Sequence, residues 1–419
     1  MRRPVTVRAA VAACLAVALA GCSTGPASSH TTSSARTSPS VPVSVSRTSL
    51  SPTPTAPTGS VSPSSATTAP VSDASPTTPA QIQFAVMNLR ERIGQLFMVD
   101  CPSTGVSAAT KAAVLKYHVG AVILDGNSDL GVVRTGTITT ALQKLIKDGP
   151  QLFIATDQEG GEVQRLRGSG FVDIPSALEQ GQVKPSQLQI DTTVWGGQLH
   201  AAGVNVDLAP VLDTVPSNSG PNPPIGDLMR EYGHNPGTVS AHGVAVVQGL
   251  EAAGVDATVK HFPGLGRVSE NTDTASGVRD TVTTSDDPYL KPFADAIKAH
   301  VPFVMMSTAI YTKLDPAHPA AFSAKIVTGL LRDKLGFHGV VISDDLGNAA
   351  QVSGYPVGSR AVRFIAAGGD MVLTVKASQA AAMTAAVLKR AKRDPAFLDK
   401  VNAAALRVLQ AKQQAKLLP

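Results

Sequence analysis

The sequence is poor in cysteine, in aromatic residues and in cofactor motifs. Three cysteines occur in 419 residues, which excludes a disulfide framework and leaves stability to the hydrophobic core. Aromatic residues make up 4% of the chain, and the single tryptophan, Trp195, lies in a helical pattern that predicts a core position rather than a sugar-stacking platform. No Gly-x-Gly-x-x-Gly sequence follows the first predicted strand, and no His-x-x-x-His grouping occurs. Neither a cofactor nor a metal site is predicted.

The first residues have the pattern of an export signal. Three arginines precede an apolar stretch, 9–20, which is shorter than the roughly 20 residues of a membrane-spanning helix. The stretch ends in the sequence LAGC at 19–22, which resembles the lipobox of bacterial lipoproteins, where the chain is cut before the cysteine. We predict a signal peptide over residues 1–21 and a lipid on Cys22 that anchors the protein to the outer face of the cytoplasmic membrane. The alternative is an ordinary secretory signal with a chance cysteine.

Residues 22–80 contain little that can form a core. Between 23 and 80, roughly two thirds of the residues are Ser, Thr or Pro, and the only formal charges are Arg36, Arg47 and Asp73. Such a segment cannot bury enough apolar surface to fold. We predict a disordered tether, whose composition permits O-glycosylation without requiring it, followed by a folded domain over residues 81–419.

The net charge gives no sign of a nucleic-acid partner. It is +5 for the whole chain and +2 without the three arginines of the predicted signal peptide. The basic isoelectric point is therefore largely a property of the precursor.

The folded part alternates short β-branched runs with amphipathic helical patterns, which is typical of repeated βα units around a parallel sheet. Helices are predicted over 139–147, 238–253, 290–300 and 380–392, with a terminal helix over 396–416. Eight such units favour a single closed (β/α)8 barrel of the TIM type over an open doubly wound sheet. The predicted strands are 96–99, 120–124, 152–155, 204–208, 257–259, 303–306, 340–342 and 371–373.

Polar residues cluster at the carboxyl ends of these strands, where a parallel barrel builds its active site. Asp344 is the most informative, because it directly follows an apolar run that predicts a buried strand; we predict that it acts as a nucleophile. Asp345 can equally cap the next turn, but alternation along the strand favours Asp344 as the residue that faces the cavity. The residues at or just beyond strand ends are Asp125, Asp157, Asp207, Lys260, His261, Ser307 and Asp344.

Other residues near these strand ends are expected to be structural. Asp207 and Asp213 are predicted to fix barrel loops, and Gly160 and Gly161 to form a turn that lets the preceding acid approach a ligand. Cys101 is predicted to be a small buried hydrophobe, although its position just past the first strand also allows exposure at the barrel mouth.

Five motifs follow one another in this part of the chain. They are TDQEGGEVQR at 156–165, VDLAPVLD at 206–213, REYGHNP at 230–236, KHFPGLG at 260–266 and ISDDL at 342–346. The set resembles the bacterial β-N-acetylglucosaminidases of glycoside hydrolase family 3. The resemblance covers nearly all of the chain from Leu89 onward.

The resemblance implies a single barrel and a retaining enzyme with a covalent glycosyl intermediate on Asp344. Such chemistry needs a carboxylate close to the anomeric carbon and an acid about 5 Å away, and it needs no metal. Acidic and basic side chains also make directional hydrogen bonds to sugar hydroxyls. The resemblance implies that a terminal N-acetylglucosamine is held by Asp157, Arg165, Arg230, Lys260 and His261.

One loop departs from the family pattern. The acid/base of the family is usually a histidine on a mobile loop after the KHFPG strand, oriented by an aspartate two residues earlier; here those positions hold Asp273 and Asn271, and Leu265 replaces a common second histidine. We predict Asp273 as the acid/base, because desolvation or the nearby Asp344 charge can favour its protonated form. Glu270 is the alternative. A carboxylate there repels phosphate, so hydrolysis is predicted rather than phosphorolysis.

The sequence therefore predicts an exo-acting β-N-acetylglucosaminidase that releases GlcNAc from cell-wall fragments such as GlcNAc-MurNAc muropeptides. The cell-wall assignment combines the resemblance with the predicted location. Two alternatives stay open. One is another exo-β-glycosidase of the same family, acting on a glucoside or xyloside. The other is a sugar-binding or scaffold lipoprotein, weakened or inactive because the loop histidine is gone.

Overall fold

The computed structural model describes residues 77–419. The predicted signal peptide, the predicted lipidation site Cys22 and residues 23–76 of the predicted tether lie outside the described residues.

In the described part of the chain, eight parallel strands form the centre of the fold. They are β1 (Phe97–Pro102), β2 (Ala121–Asp125), β3 (Phe153–Thr156), β4 (Val206–Asp207), β5 (Asp256–Phe262), β6 (Phe303–Met306), β7 (Val340–Ser343) and β8 (Val372–Thr374). Their spatial order is β7-β6-β5-β4-β3-β2-β1-β8, and a parallel bridge between Ile342 and Met371 joins the first to the last. The sheet thus closes into a barrel. Each of the eight predicted strands overlaps one of these, which confirms the predicted (β/α)8 fold.

Helices follow the strands around the outside of the barrel. A π-type helical segment, Lys325–Lys334, lies between β6 and β7. In residues 77–419, no helix has the length and apolar content needed to cross a membrane. The α-helices are α1 (Pro79–Val86), α2 (Leu89–Gly94), α3 (Ala108–Tyr117), α4 (Gly131–Gln143), α5 (Ala177–Gln180), α6 (Pro185–Ala201), α7 (Pro236–Ala252), α8 (Lys291–Lys298), α9 (Val357–Ala367), α10 (Ala380–Ala391) and α11 (Pro395–Gln414).

Local signals explain where several helices begin. Asn235 accepts a hydrogen bond from Thr238 N and caps α7, and Asp394 does the same for α11 through Phe397 N. In both helices the next residue is proline, whose fixed φ suits the first helical position. The bounds predicted for these two helices are therefore correct within two residues.

The predicted start of α4 was wrong. The sequence pattern placed it at 139, whereas the helix begins at Gly131. Glycine, valine and threonine fill its first turns, and these residues have low intrinsic helix propensity. Burial of Thr135 and Thr139 against the rest of the fold stabilises the helix instead.

The amino-terminal end of the barrel is closed by packing. Phe153 and Phe303 meet edge to face with ring centroids 5.2 Å apart. Lys412 of α11 is fully buried above the Phe153 ring, 5.6 Å from its centroid, and donates a hydrogen bond to Gln95 Oε1 at 2.7 Å. Burial lowers the pKa of Lys412 to about 7. This end therefore contributes to stability through the packing of its side chains.

Two small sheets lie in the loops beyond the carboxyl ends of the strands. An antiparallel pair, Gln158–Gly160 with Val163–Gln164, follows β3. A parallel pair, Arg279–Asp280 with Ile310–Tyr311, joins the loops after β5 and β6. These pairs give order to loops that carry residues predicted for the active site.

Candidate active site

A cavity of about 350 Å³ opens at the carboxyl ends of the strands. Its lining residues come from seven of the eight strands or the loops that follow them, as expected for a barrel enzyme. Glu270 is exposed and is not among the lining residues. The structure brings together the other predicted site residues, Asp157, Arg165, Arg230, Lys260, His261, Asp273 and Asp344.

Asp344 follows β7 and presents a largely free carboxylate to this cavity. Its backbone N–H donates to Met306 O at 3.0 Å, which extends the barrel ladder to this residue. Among the described residues, its carboxylate accepts one hydrogen bond, from Asp345 N at 2.8 Å. Burial and the negative charge of Asp273 raise the pKa of Asp344, whereas His261 opposes that rise. The remaining oxygen positions are available to a ligand.

The neighbouring carboxylate of Asp345 is fully engaged in structure. Its Oδ1 accepts hydrogen bonds from Gly347 N at 2.8 Å and Val375 N at 3.0 Å, and its Oδ2 accepts one from Asn348 N at 2.7 Å. These bonds fix the turn after β7 and tie it to the segment after β8. The two adjacent acids therefore have different environments, and the less engaged one is Asp344.

Asp273 lies at the rim of the cavity on the loop after β5. Its N–H donates to Asn271 Oδ1 at 2.8 Å, and its carbonyl accepts from Ala350 N at 3.1 Å. Although the residue is exposed, the cavity walls exclude part of the water from its carboxyl and raise its pKa, and His261 partly opposes this effect. Asp345 adds a further negative charge that favours the protonated form.

A buried ion cluster forms one wall of the cavity. Lys260 Nζ lies 2.6 Å from Asp157 Oδ1 and 2.6 Å from Glu159 Oε1. Arg230 makes a two-pronged contact with Glu159 at 2.8 and 2.7 Å. Burial favours the neutral form of Lys260, but the two carboxylates outweigh it and raise the pKa of Lys260. The cluster keeps charge in a site from which water is largely excluded.

Glu159 was missed in the sequence analysis. It is 5% exposed, and the charges of Arg230 and Lys260 overcome the effect of burial and hold its pKa well below the usual range. The signal available in the sequence was its spacing, because residues two apart on an extended segment share a face and Glu159 stands two after Asp157. Gly160, next in the chain, has a φ of 102°, and a Cβ there would lie 2.1 Å from Pro175 O. This agrees with the predicted turn glycine.

His261 is held by Asp213. Its ring Nδ1 lies 2.7 Å from Asp213 Oδ2, and Asp213 Oδ1 accepts from His261 N at 3.1 Å and Leu265 N at 2.7 Å. With Nδ1 engaged, Nε2 is the ring nitrogen left for a ligand. Asp207 is also buried, accepts from Gln158 N at 3.0 Å, and has its pKa raised to about 7 by burial. Both aspartates fix loops, as expected.

This arrangement can be compared with known proteins. Residues 88–411 match the glycosyl hydrolase family 3 N-terminal domain. The chain belongs to glycoside hydrolase family 3. The family predicted from the five motifs is thus confirmed, and a β-hexosaminidase from Xanthomonas campestris pv. campestris is 32% identical over 322 residues, which cover 74% of this chain and 93% of that protein.

Two solved structures show the same fold. A β-N-acetylhexosaminidase from Beutenbergia cavernae is 48% identical, with a TM-score of 0.77 over 78% of this chain and 99% of that one. A family 3 β-N-acetylglucosaminidase from a Paenibacillus species is 30% identical, with a TM-score of 0.73 over 79% of this chain and 63% of that one.

Arg165 adds hydrogen-bond donors to this family 3 cavity. Its Nη1 donates to Asn127 Oδ1 at 3.1 Å, while its buried Nε has no hydrogen-bond partner among the described residues. An unpaired buried donor costs free energy, so a ligand oxygen that accepts from it is favoured.

The remaining expectations concern residues away from the cavity wall. Cys101 is fully buried, and burial raises the pKa of its thiol to about 11, so it is the predicted small hydrophobe and is not exposed at the mouth. Trp195 is half-buried on α6 and packs against the core, as predicted. Among residues 77–419, no three His, Cys, Asp or Glu side chains are grouped as a metal site requires.

Proposed function

We propose that this family 3 protein is an exo-acting β-N-acetylglucosaminidase that removes terminal β-linked N-acetylglucosamine with retention of configuration. The observation that carries the proposal is the pair of acids in one cavity: Asp344 has a largely free carboxylate, and Asp273 shares the cavity lining with charged hydrogen-bonding groups. The names of its relatives, β-hexosaminidase and β-N-acetylhexosaminidase, support the choice of sugar.

The first chemical step forms a glycosyl-enzyme. Asp344 attacks C1 of the sugar as the bond from C1 to the leaving oxygen breaks, and Asp273 transfers its proton to that oxygen. Two neighbouring carboxyls resist double ionisation, so the pair retains a proton to higher pH than an isolated acid does. The step needs an ionised Asp344 and the proton on Asp273. Two contributions differ between the acids in that sense: Lys260 opposes the rise in the pKa of Asp344, whereas the negative charge of Asp345 adds to the rise in the pKa of Asp273.

The second step releases the sugar. Asp273, now ionised, accepts a proton from water as the water oxygen attacks C1, and the bond from C1 to Asp344 breaks. Two inversions at C1 restore the original configuration. The product is free N-acetylglucosamine, and both acids return to their starting protonation states.

The charged wall binds the sugar hydroxyls. Asp157 accepts hydrogen bonds, and Arg230 and Lys260 donate them in directions fixed by the ion cluster. Arg165, which is held by Asn127, adds further donors. Glu159 holds Arg230 and Lys260 without reaching the ligand itself. A cavity of about 350 Å³ is at the small end of ligand pockets, which suits a single terminal sugar and hence exo action.

Substrate discrimination gives a direct test of the sugar assignment. We expect kcat/KM for an aryl β-N-acetylglucosaminide to exceed that for the matching aryl β-glucoside by at least about 100-fold, because a site that pairs with a polar substituent discriminates against its absence. Equal or reversed rates would assign the protein to a glucoside or xyloside. Tight binding of GlcNAc-MurNAc without turnover of any glycoside would instead favour a binding protein.

The proposal also places the enzyme at the outer face of the cytoplasmic membrane, acting on cell-wall fragments such as GlcNAc-MurNAc muropeptides. The basic and apolar start of the chain, the LAGC sequence ending at Cys22 and the Ser/Thr/Pro-rich segment support it. Metabolic labelling with an alkyne fatty acid tests it: wild type should carry the label and fractionate with membranes, and Cys22→Ser should do neither. An unlabelled wild-type protein released into the medium would contradict the anchor.

A further inference from the structure

The loop that carries Asp273 is hydrogen bonded to the segment that follows Asp344. Ala350 N donates to Asp273 O at 3.1 Å, and Gln351 N donates to Thr272 O at 3.0 Å. Ala350 stands only six residues beyond Asp344, at the start of the short turn Ala350–Val352. Two backbone amides therefore link the two halves of the proposed catalytic pair.

The side chain of Gln351 holds the far end of the same loop. Its Oε1 accepts from Val278 N at 2.9 Å, and its Nε2 donates to Val278 O at 3.2 Å. Gln351 is 7% exposed, so water competes poorly for these bonds. One residue thus contacts both the beginning and the end of the segment 272–278 through its backbone and its amide.

The loop between these two points is internally wound. Asn271 Oδ1 accepts from Asp273 N at 2.8 Å, and Asn271 O accepts from Ala275 N at 2.8 Å. Because the turn is compact, a movement of the backbone at its end also moves the residues inside it. Loss of the contact at Val278 is therefore expected to displace Asp273.

We propose that Gln351 is a positioning residue that fixes the separation of Asp273 from Asp344. The inference rests on the proposed acid/base role of Asp273. Proton transfer requires the donor within hydrogen-bond reach of the leaving oxygen, and a displacement of about 1 Å can cost roughly 100-fold in rate. Because Gln351 and Asp344 belong to the same loop after β7, movement of that loop carries both acids together and preserves their separation.

A second glutamine provides a matched control. Gln143 at the end of α4 clasps Leu152 in the same way: its Oε1 accepts from Leu152 N at 2.9 Å, and its Nε2 donates to Leu152 O at 2.9 Å. Leu152 precedes β3, at the opposite end of the barrel from the cavity. Gln143→Met removes the same two bonds far from Asp273.

The experiment compares Gln351→Met, Gln143→Met and Asp273→Asn on two substrates. A β-linked GlcNAc disaccharide has a poor leaving group that needs the acid, whereas a 2,4-dinitrophenyl β-N-acetylglucosaminide leaves without protonation. For Gln351→Met we expect kcat/KM to fall at least about 10-fold on the disaccharide and less than about twofold on the dinitrophenyl glycoside. Gln143→Met should leave kcat/KM unchanged on both substrates.

The outcomes separate this inference from the proposed function. If Asp273→Asn shows no contrast between leaving groups, the acid/base assignment is wrong. If Asp273→Asn shows the contrast and Gln351→Met loses both substrates equally or neither, the positioning role is overturned while the function stands. Should Gln351→Met not fold, Gln351→Glu serves: it retains the acceptor for Val278 N and loses the donor, so a smaller contrast of the same sign is expected, and its absence overturns the proposal.

Discussion

Two buried lysines at opposite ends of the barrel have pKa values shifted in opposite directions. Lys412, at the amino-terminal end, is fully buried beside Phe153 with the neutral amide of Gln95 as its partner, and its pKa falls to about 7. Lys260, at the carboxyl end, is 2% exposed, yet two carboxylates at 2.6 Å raise its pKa. Burial is the same; the partners differ. Lys260 therefore stays charged in the proposed active site, whereas Lys412 loses its charge readily at the packed end of the barrel.

The two ends of the barrel differ as a whole. The carboxyl end holds paired charges around an open cavity, and the amino-terminal end holds aromatic rings and α11. Barrel enzymes separate catalysis and stability in this way, because loops at one end can vary while the other end stays packed. Substitutions at the two ends are therefore expected to have different consequences.

The largest expected effect is at the rim of the cavity. Asp273→Asn should lower kcat/KM on a natural disaccharide by about 10²- to 10⁴-fold, since general acid catalysis of a poor leaving group is lost. Glu270→Gln should leave it within about twofold, because its side chain is outside the cavity. A large loss for Glu270→Gln with little for Asp273→Asn would reverse the assignment of the acid/base.

The next prediction sets the two lysines against each other. Lys260→Met should destabilise the protein by about 3 kcal/mol or more, because Asp157 and Glu159 lose a shared cation in a buried site, and activity should be abolished. Lys412→Met should stay within about 1.5 kcal/mol at pH 7 and keep full activity, since an amine that loses its proton readily is replaced by an apolar chain of similar length. Chemical denaturation and an aryl glycoside assay measure both. Equal destabilisation by the two substitutions would contradict the predicted difference between the two lysines.

A smaller effect is expected in the pH dependence of stability. The pKa of Lys412 is about 7 when folded against 10.5 for the free side chain, so between those values the unfolded state binds more protons and the free energy of unfolding rises with pH. This gain in the free energy of unfolding is complete above pH 10.5 and absent below about pH 7. Relative to Lys412→Met, the wild type should gain up to about 1.4 kcal/mol per pH unit between pH 7 and 9. If the free energies of unfolding of the two proteins changed with pH in parallel, Lys412 would be charged in the folded state.

The smallest expected signal is the absence of phosphorolysis. Asp125, Asp157, Asp273, Asp344 and Asp345 all line the cavity, and their negative charge disfavours a phosphate acceptor. In phosphate buffer the product should be free N-acetylglucosamine with no sugar 1-phosphate, as measured by phosphorus NMR. Accumulation of the 1-phosphate would contradict the proposed acceptor.

Strand positions were predictable because buried parallel strands read as short continuous apolar runs. The acids and bases at their ends were predictable for the same reason, since a strand end fixes the mouth of the barrel. The pairing of Glu159 with Arg230 spans 71 residues, and that of Gln351 with Val278 spans 73. Periodicity describes one element at a time, so contacts between distant loops were visible only in the structure.

The central claim is that the Asp344 carboxylate forms a bond to C1 of the sugar. The most direct test is mass spectrometry of the protein after incubation with a 5-fluoro N-acetylglucosaminyl fluoride, which slows release of the glycosyl-enzyme. We expect one added sugar per chain, located by peptide sequencing on Asp344. A label on another residue, or hydrolysis that proceeds with inverted product and no label, would contradict it.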